Sequence, residues 1–143
     1  MRFLNRLMSF IALAAVACGN SAQDQDSPGG PALAVEARAG ETFRLRVGGI
    51  ARVGADFLVS FQGVSSDSRC PIDVDCVWQG DAVVHISAAV GRMQWTPFEL
   101  HTGLEPRSVV FQDRRITLIA VEPAPRSNEQ IDPARYIITL KVD

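Results

Sequence analysis

The residues best suited to chemistry in this 143-residue sequence lie close together, within residues 67–81. This stretch holds two cysteines and four acids: Cys70, Cys76, Asp67, Asp73, Asp75 and Asp81. Thiolates bind zinc when reduced and form disulfides when oxidised, and carboxylates are the ligands that calcium prefers in extracellular loops. The stretch therefore raises three possibilities, which are a disulfide staple, a zinc site and a calcium site.

The cysteine spacing favours the staple. Five residues separate Cys70 from Cys76, and the only other cysteine is Cys18. Once Cys18 is assigned to another role, a single intramolecular pairing remains. A zinc site would also need His85 and His101, reduced thiols and a spacing closer to C-x2-4-C, and a redox dithiol is typically C-x-x-C. We predict a Cys70–Cys76 disulfide that closes a loop of about seven residues and adds about 2 to 2.5 kcal/mol of stability.

The four acids do not have the spacing of a calcium-binding loop. An EF-hand requires D-x-[DN]-x-[DN]-G followed by a glutamate, and residues 67–81 do not match that pattern. Aspartate and serine are also frequent in loops because their side chains cap turns. We therefore predict no metal and no cofactor, and we keep a calcium-dependent module as an alternative.

No catalytic motif frames the two histidines. His85 falls on the polar side of an alternating run, which predicts a solvated surface residue, and His101, followed by Thr102-Gly103, is predicted to be part of a turn. Serines are plentiful, but no nucleophile-elbow string surrounds any of them. We assign no catalytic residue and expect a protein that is not an enzyme. A small hydrolase whose residues converge only in the fold is the second alternative.

The first 17 residues are typical of a secretory signal peptide. Arg2 and Arg6 precede an apolar run that ends in small residues and is too short to span a bilayer. The run ends at Ala15-Val16-Ala17-Cys18-Gly19, which resembles the lipobox of bacterial lipoproteins, although Ala15 stands where that family usually has leucine. The resemblance implies that Cys18 is the acylated first residue of the mature chain. Ordinary signal-peptide cleavage at the same place is the alternative.

Residues 18–35 are small, polar and interrupted by glycine and proline, which predicts a flexible linker. We expect acyl chains on Cys18 to anchor the chain to a membrane of the bacterial cell envelope, facing the periplasm. Gly19 after the cysteine implies, by resemblance to sorted lipoproteins, the outer membrane where two are present. The formal net charge of the chain is -2 and Lys141 is its only lysine, so no basic stripe supports nucleic-acid binding.

Residues 36–143 read as one domain in which the dominant hydrophobic period is two. Alternation or short apolar runs predict strands at residues 42–47, 57–62, 78–90, 93–100, 108–111, 115–120 and 136–142, with Trp78 on the same parity as Val84 and Ile86. Gly91-Arg92 predicts a hairpin turn, and Pro97 predicts an edge strand or a bulge. Seven or eight short strands favour an all-β antiparallel β-sandwich, with a small β-barrel as the alternative. The predicted core includes five aromatic residues: Phe43, Phe57, Phe61, Trp78 and Tyr136.

The string D-S-R-C-P, followed by V-x-C and W-x-G, resembles a motif of small bacterial envelope lipoproteins of uncharacterised function. It covers residues 67–80 and leads into an alternating strand. The resemblance implies membership of such a group and carries no activity with it. We expect a membrane-tethered binding or interaction module with an envelope protein as partner. The expected contact loop consists of Asp67, Arg69, Asp73 and Asp75.

Overall fold

The computed structural model describes residues 34–92 and 94–143. The predicted signal peptide, the predicted lipidation site at Cys18 and the predicted linker up to residue 33 lie outside this described part. Within it, no helix is long and apolar enough to cross a membrane. The elements are nine strands and one short 3-10 helix: β1 (Val35–Ala37), β2 (Thr42–Arg46), β3 (Ile50–Val53), β4 (Phe57–Asp67), β5 (Ala82–Val90), β6 (Thr96–His101), β7 (Ser108–Phe111), β8 (Arg114–Glu122), the 3-10 helix (Pro133–Arg135) and β9 (Ile137–Val142).

The strands form two open sheets. The first has the order β1-β3-β4-β5-β6 and the second has the order β2-β9-β8-β7. Neighbouring strands are antiparallel, except that β1 pairs with β3 in parallel. Neither sheet closes on itself, so the β-sandwich prediction is confirmed and the barrel alternative is not adopted.

The core lies between the two sheets and is built by the alternation seen in the sequence. In β2 the inward residues Phe43 and Leu45 alternate with exposed residues, and β9 shows the same period. In the centre of the first sheet, Phe61 of β4 lies opposite Ile86 of β5, and both are fully buried. Four of the five aromatic residues predicted for the core are buried there: Phe43, Phe57, Phe61 and Tyr136.

Seven strands lie where the period predicts them, and two were missed. β1 has three residues and β3 has four, which is too short for a period to be recognised between the surrounding glycines. Pro97 lies in β6, the outermost strand of the first sheet, so the edge-strand prediction is confirmed. An edge position suits proline because it has no backbone N–H for a neighbouring strand to use. Gly91 and Arg92 form the predicted turn after β5.

Three loops meet at one end of the sandwich, which we call the stapled end. They are residues 68–81 between β4 and β5, residues 102–107 between β6 and β7, and residues 123–136 between β8 and β9. Antiparallel pairing of β5 with β6 brings the first two loops together. A hydrogen bond from Arg69 to the Val121 carbonyl brings the third beside the first. The turns at residues 54–56, 91–92 and 112–113 form the opposite end, which we call the hairpin end.

Candidate functional site

The stretch that the sequence singled out is the longest loop of the stapled end. Cys70 and Cys76 are joined by a disulfide with their Cα atoms 5.9 Å apart. Below the disulfide, Ser68 donates its backbone N–H to the Asp81 carbonyl at 2.7 Å, and Cys70 donates to the Gln79 carbonyl at 2.8 Å. We call residues 67–69 and 79–81 the neck of the loop and residues 71–78 its tip. Two backbone hydrogen bonds thus join the two sides of the neck, and the disulfide ties Cys76 of the tip to Cys70 beside the neck.

Asp67 and Arg69 hold the neck to the rest of the end. Arg69 donates from Nε to Asp67 Oδ1 at 2.8 Å and from Nη2 to Asp67 Oδ2 at 2.6 Å, which is a bidentate pair. It also donates to the carbonyls of Val121 at 2.6 Å and Pro123 at 2.8 Å. Tyr136 donates its hydroxyl to Asp67 Oδ2 at 3.0 Å. The pair therefore connects β4 with the end of β8 and the start of β9.

The neck pair corrects part of the predicted contact loop. The side chains of Asp67 and Arg69 are only 10% and 15% exposed, so neither is free to meet a partner. The sequence suggested contact because charged residues in a loop are usually solvated, but here each charge finds its partner two residues away and turns inward. Of the four predicted contact residues, only Asp73 and Asp75 are exposed.

Charges and hydrogen bonds in the neck shift two pKa values. Burial raises the pKa of the Asp67 carboxyl, but the Arg69 side chain, the Arg69 backbone N–H and the Tyr136 hydroxyl outweigh burial, so the pKa is lowered overall. Burial and the hydrogen bond to Asp67 raise the pKa of Tyr136 to about 12. The carboxylate and the neutral phenol are thus the forms that this arrangement stabilises.

A second carboxylate, Asp81, closes the other side of the neck. Its Oδ1 accepts the backbone N–H groups of Thr102 at 2.9 Å and Gly103 at 2.8 Å, and its Oδ2 lies 2.6 Å from His101 Nδ1. Burial raises the pKa of Asp81, but these hydrogen bonds and the His101 ring outweigh it and hold the pKa at about 2. The hydrogen bond to Asp81 in turn raises the pKa of His101. Asp81 therefore ties the loop to residues 102–107.

Two glycines make this closure possible. Gly80 has φ of +68°, and a Cβ on it would lie 1.8 Å from the Ser68 carbonyl oxygen. A Cβ on Gly103 would lie 2.2 Å from the Gly80 carbonyl oxygen. Both distances are below any real contact, so the three backbone segments at the neck pack at a separation that only glycine allows.

The tip leans on the loop after β8 through polar contacts. Asp73 accepts the Ser127 backbone N–H at 2.9 Å and the Ser127 hydroxyl at 2.6 Å. These hydrogen bonds lower the pKa of Asp73. Ile72 donates its backbone N–H to the Pro125 carbonyl at 3.0 Å. The tip is thus fixed in position while its surface stays open to solvent.

That surface is apolar. Val77 is 91% exposed, Trp78 82%, Ile72 61% and Val74 45%. Leu104, in the neighbouring loop of the same end, is 62% exposed. Single exposed apolar residues are ordinary, but several at one end of a molecule are a candidate for an interaction site. These residues, rather than the charged ones, form the candidate contact surface of the stapled end.

Trp78 corrects the core prediction. Its parity with Val84 and Ile86 suggested an inward side chain, but β5 begins only at Ala82. The positive φ of Gly80 interrupts the extended backbone between Trp78 and that strand. An alternation of side chains continues only while the backbone stays extended, so the parity of β5 does not reach Trp78.

The two histidines lie in a row of polar side chains on the outer face of the first sheet. His85 Nε2 is 2.7 Å from the hydroxyl of Ser65, the unpaired residue of a bulge in β4. The Glu99 carboxylate, on β6, is 3.9 Å from His85 Nδ1 and 3.3 Å from His101 Nε2. His85 is therefore partnered at the surface, where solvation alone was predicted. His101 was predicted to be part of a turn, but it is the last residue of β6. The serine, histidine and carboxylate types of a hydrolytic triad are adjacent here.

The metal alternatives find little support in the geometry. Across residues 34–92 and 94–143, no three His, Cys, Asp or Glu side chains gather closely enough to hold a metal ion. Asp67 faces Arg69 while Asp73 faces Ser127, so these carboxylates point to different partners. Cys70 and Cys76 are oxidised, which removes the thiolates that zinc requires.

Comparison with known proteins adds no assignment. No protein-family model, curated protein or solved structure matches the chain. Any function must therefore be inferred from the geometry of the site and from the sequence.

Proposed function

We propose that this chain is a binding module of the bacterial cell envelope, anchored through lipid on Cys18, facing the periplasm and using the tip of its stapled loop as the contact surface. One observation carries this proposal: the tip exposes Val77, Trp78 and Ile72 although it is locked in place. A loose loop could turn such side chains inward. This tip is held by the disulfide and by Asp73, so their exposure is part of the fold.

The chemistry of the tip suits binding. Tryptophan is among the residues that contribute most to interfaces, because it offers a large apolar area with few rotatable bonds. A rigid loop also loses little conformational entropy when it binds. Asp75, which is exposed beside the apolar residues, adds a charge that can select among partners.

A photo-crosslinking residue at position 77 tests the contact surface in cells. Val77 is the most exposed apolar side chain of the tip, so its replacement disturbs no packing. Position 110 is the matched control, since Val110 is 60% exposed on β7, in the other sheet. We expect adducts from position 77, weakened by Trp78→Ala, and few from position 110. Equal adducts at both positions, or none at 77, would refute the contact surface.

The anchor has a separate test. Cys18→Ser should move the protein from the membrane fraction to the soluble fraction, because one acyl-bearing cysteine is the proposed attachment. Where two membranes are present, we expect the wild-type protein in the outer one. Membrane association that survives the substitution would remove the lipid anchor from the proposal.

A hydrolase is the second candidate, and the Ser65–His85 contact of 2.7 Å is the observation that favours it. These residues lie at the open surface and not in an enclosed site, since the side chains of His85 and Glu99 are 40% and 53% exposed. Ser65, His85 and Glu99 line none of five well-formed surface pockets of the described residues, whose volumes are about 170 to 410 Å³. Labelling of Ser65 by a fluorophosphonate probe, lost in both Ser65→Ala and His85→Gln, would establish this candidate. If Ser65 were not labelled, the hydrolase candidate would be rejected and the binding module would be the only remaining proposal.

A further inference from the structure

We propose that the partner of the tip is the bilayer itself, so that Trp78, Val77 and Ile72 rest in the interfacial layer of the membrane that carries the Cys18 anchor. The domain would then be held at two points, by lipid and by the stapled loop. This inference rests on the proposed function, because it requires the tether. Three observations support it: where the apolar residues lie, where the tether enters the fold, and how long the tether is.

The exposed apolar residues are concentrated at one end of the sandwich. Five of the nine large apolar side chains that are exposed in the described residues belong to the stapled end: Ile72, Val74, Val77, Trp78 and Leu104. A surface that meets a bilayer needs apolar side chains at one pole of the molecule, with tryptophan at the depth of the headgroups. Trp95, the other tryptophan, precedes β6 and lies near the hairpin end.

The second observation is that the N-terminal end of β1, where the tether joins the fold, points toward the stapled end. β1 runs parallel to β3, and β3 runs antiparallel to β4, so the N-terminal end of β1 points in the direction in which β4 runs. β4 ends at Asp67, where the stapled loop begins. A membrane reached through the linker would thus face the stapled end rather than the hairpin end.

The typical reach of the tether matches the distance from Val35, where it joins the fold, to the neck of the stapled loop. Val35 is level with Ala51 and Val59, and Asp67 lies eight residues further along β4. At about 3.3 Å per residue, less the two bulges, the neck stands about 20 to 26 Å beyond the entry of the tether. The 17 steps from Cys18 to Val35 have a typical reach of about 21 to 25 Å. A linker whose typical reach equals the span gives the highest effective concentration for the second contact.

The charges of the tip define the kind of membrane contact. Asp73 and Asp75 are the charged residues of the tip, and both are acidic. The contact is therefore apolar and interfacial, unlike the attraction of a basic patch to anionic lipids. Zwitterionic lipid should suffice, and anionic lipid should not strengthen the contact.

Two single-tryptophan variants of the lipidated chain test the inference in vesicles. Trp95→Phe leaves Trp78 as the only reporter, and Trp78→Phe leaves Trp95, which is 40% exposed, as the matched control from the opposite end. Each is reconstituted into phosphatidylcholine vesicles that contain brominated acyl chains, which quench tryptophan at the membrane. We expect strong quenching and a blue shift for Trp78, with Trp95 unquenched and accessible to iodide. The same pattern should persist, without increase, when about a third of the lipid is phosphatidylglycerol.

Each other outcome has a definite meaning. Unquenched Trp78 in vesicles that hold the protein would overturn the bilayer contact, as would equal quenching of both tryptophans, which is the sign of unoriented adsorption. Strong dependence of Trp78 quenching on phosphatidylglycerol would also overturn it in favour of a charge-driven contact. Failure of the chain to associate with vesicles at all would instead remove the tether and with it the proposed function.

A protein partner is distinguished by the crosslinks from position 77. Adducts with the mass of a lipid agree with the bilayer contact. An adduct with one protein, combined with unquenched Trp78, would keep the binding module and overturn the bilayer as its partner. Replacing Trp78 by alanine should lower the adduct yield roughly tenfold or more, because the largest apolar area of the tip is removed.

Discussion

The neck and the tip of the stapled loop are adjacent in sequence and opposite in character. In the neck, charged side chains are turned inward and each has a partner, as the 10% and 15% exposure of Asp67 and Arg69 shows. In the tip, apolar side chains are turned outward, as the 82% exposure of Trp78 shows. The usual distribution of polar and apolar residues is thus reversed in both parts.

The reversal has a physical explanation. A neck of apolar residues would bind the loop to the core without fixing its direction, whereas hydrogen bonds from Arg69 and Asp81 fix both distance and angle. The tip can then expose apolar residues without collapsing, because its backbone has no freedom to bury them. We therefore infer that the neck stabilises this end, and we propose that the tip is the part that binds. The four predictions below separate the two roles, beginning with the largest effect.

Arg69→Ala should lower the free energy of unfolding by about 2 to 4 kcal/mol, since it removes the charge partner of the largely buried Asp67 carboxylate and the side-chain donor to the Val121 and Pro123 carbonyls. The melting temperature should fall by roughly 10 to 20 °C. Arg92→Ala, at the exposed turn of the hairpin end, is the control and should melt close to the wild type. If Arg69→Ala melted at the same temperature as the control, the neck would contribute little to the stability of the fold.

Breaking the staple should have a somewhat smaller effect. The double variant Cys70→Ser, Cys76→Ser should lose about 2 to 2.5 kcal/mol, because closing a loop of about seven residues restricts the unfolded chain only modestly. Mass mapping of the exported wild-type protein without reduction should show the Cys70–Cys76 crosslink. Free thiols at both positions would contradict the disulfide and would make a metal site worth testing again.

Sequence periodicity predicted the sheets far better than it predicted the loop. The strand that ends at Val90 was predicted because its buried residues recur at every second position, although the predicted run began at Trp78 and β5 begins at Ala82. β3 was missed because four residues are too few to show a period. The alternation of apolar residues reflects an extended backbone. Where the backbone turns, as in the stapled loop, the alternation no longer shows which side chains face the core.

The candidate site could be predicted only in part for the same reason. The disulfide follows from counting cysteines, but Asp67 also accepts from Tyr136, 69 residues away, and Asp81 accepts from Thr102 and Gly103, 21 and 22 residues away. No local sequence pattern predicts pairs of residues that lie so far apart in the chain. The exposure of Trp78 had one local signal, since Gly80 follows two residues later and favours a turn rather than a continuing strand.

The Asp81–His101 contact should make the stability of the neck depend on pH. His101 has a raised pKa in the folded state, so its contribution is complete below its unfolded pKa of about 6.5 and is lost as the pH rises through the folded value. Asp81 has a folded pKa of about 2, so its contribution is complete above about 4 and is lost as the pH falls through 2. Denaturant unfolding should therefore show a decline in stability above pH 6.5 that is reduced in His101→Gln. An identical decline in that variant would show that the contact contributes nothing.

Trp78→Ala should have the smallest effect on stability and the clearest effect on binding. Truncating a side chain that is 82% exposed removes little buried area, so the free energy of unfolding should change by less than about 1 kcal/mol. Phe61→Ala, at a fully buried position, is the matched truncation and should destabilise strongly because it leaves a cavity. The two variants are compared by thermal melting and by crosslinking from position 77. If Trp78→Ala melted as early as Phe61→Ala, the tip would be part of the folded core, and the separation of a stabilising neck from a binding tip would fail. If Trp78→Ala melted like the wild type and crosslinking from position 77 were undiminished, the stabilising role of the neck would stand, but Trp78 would have no role in binding.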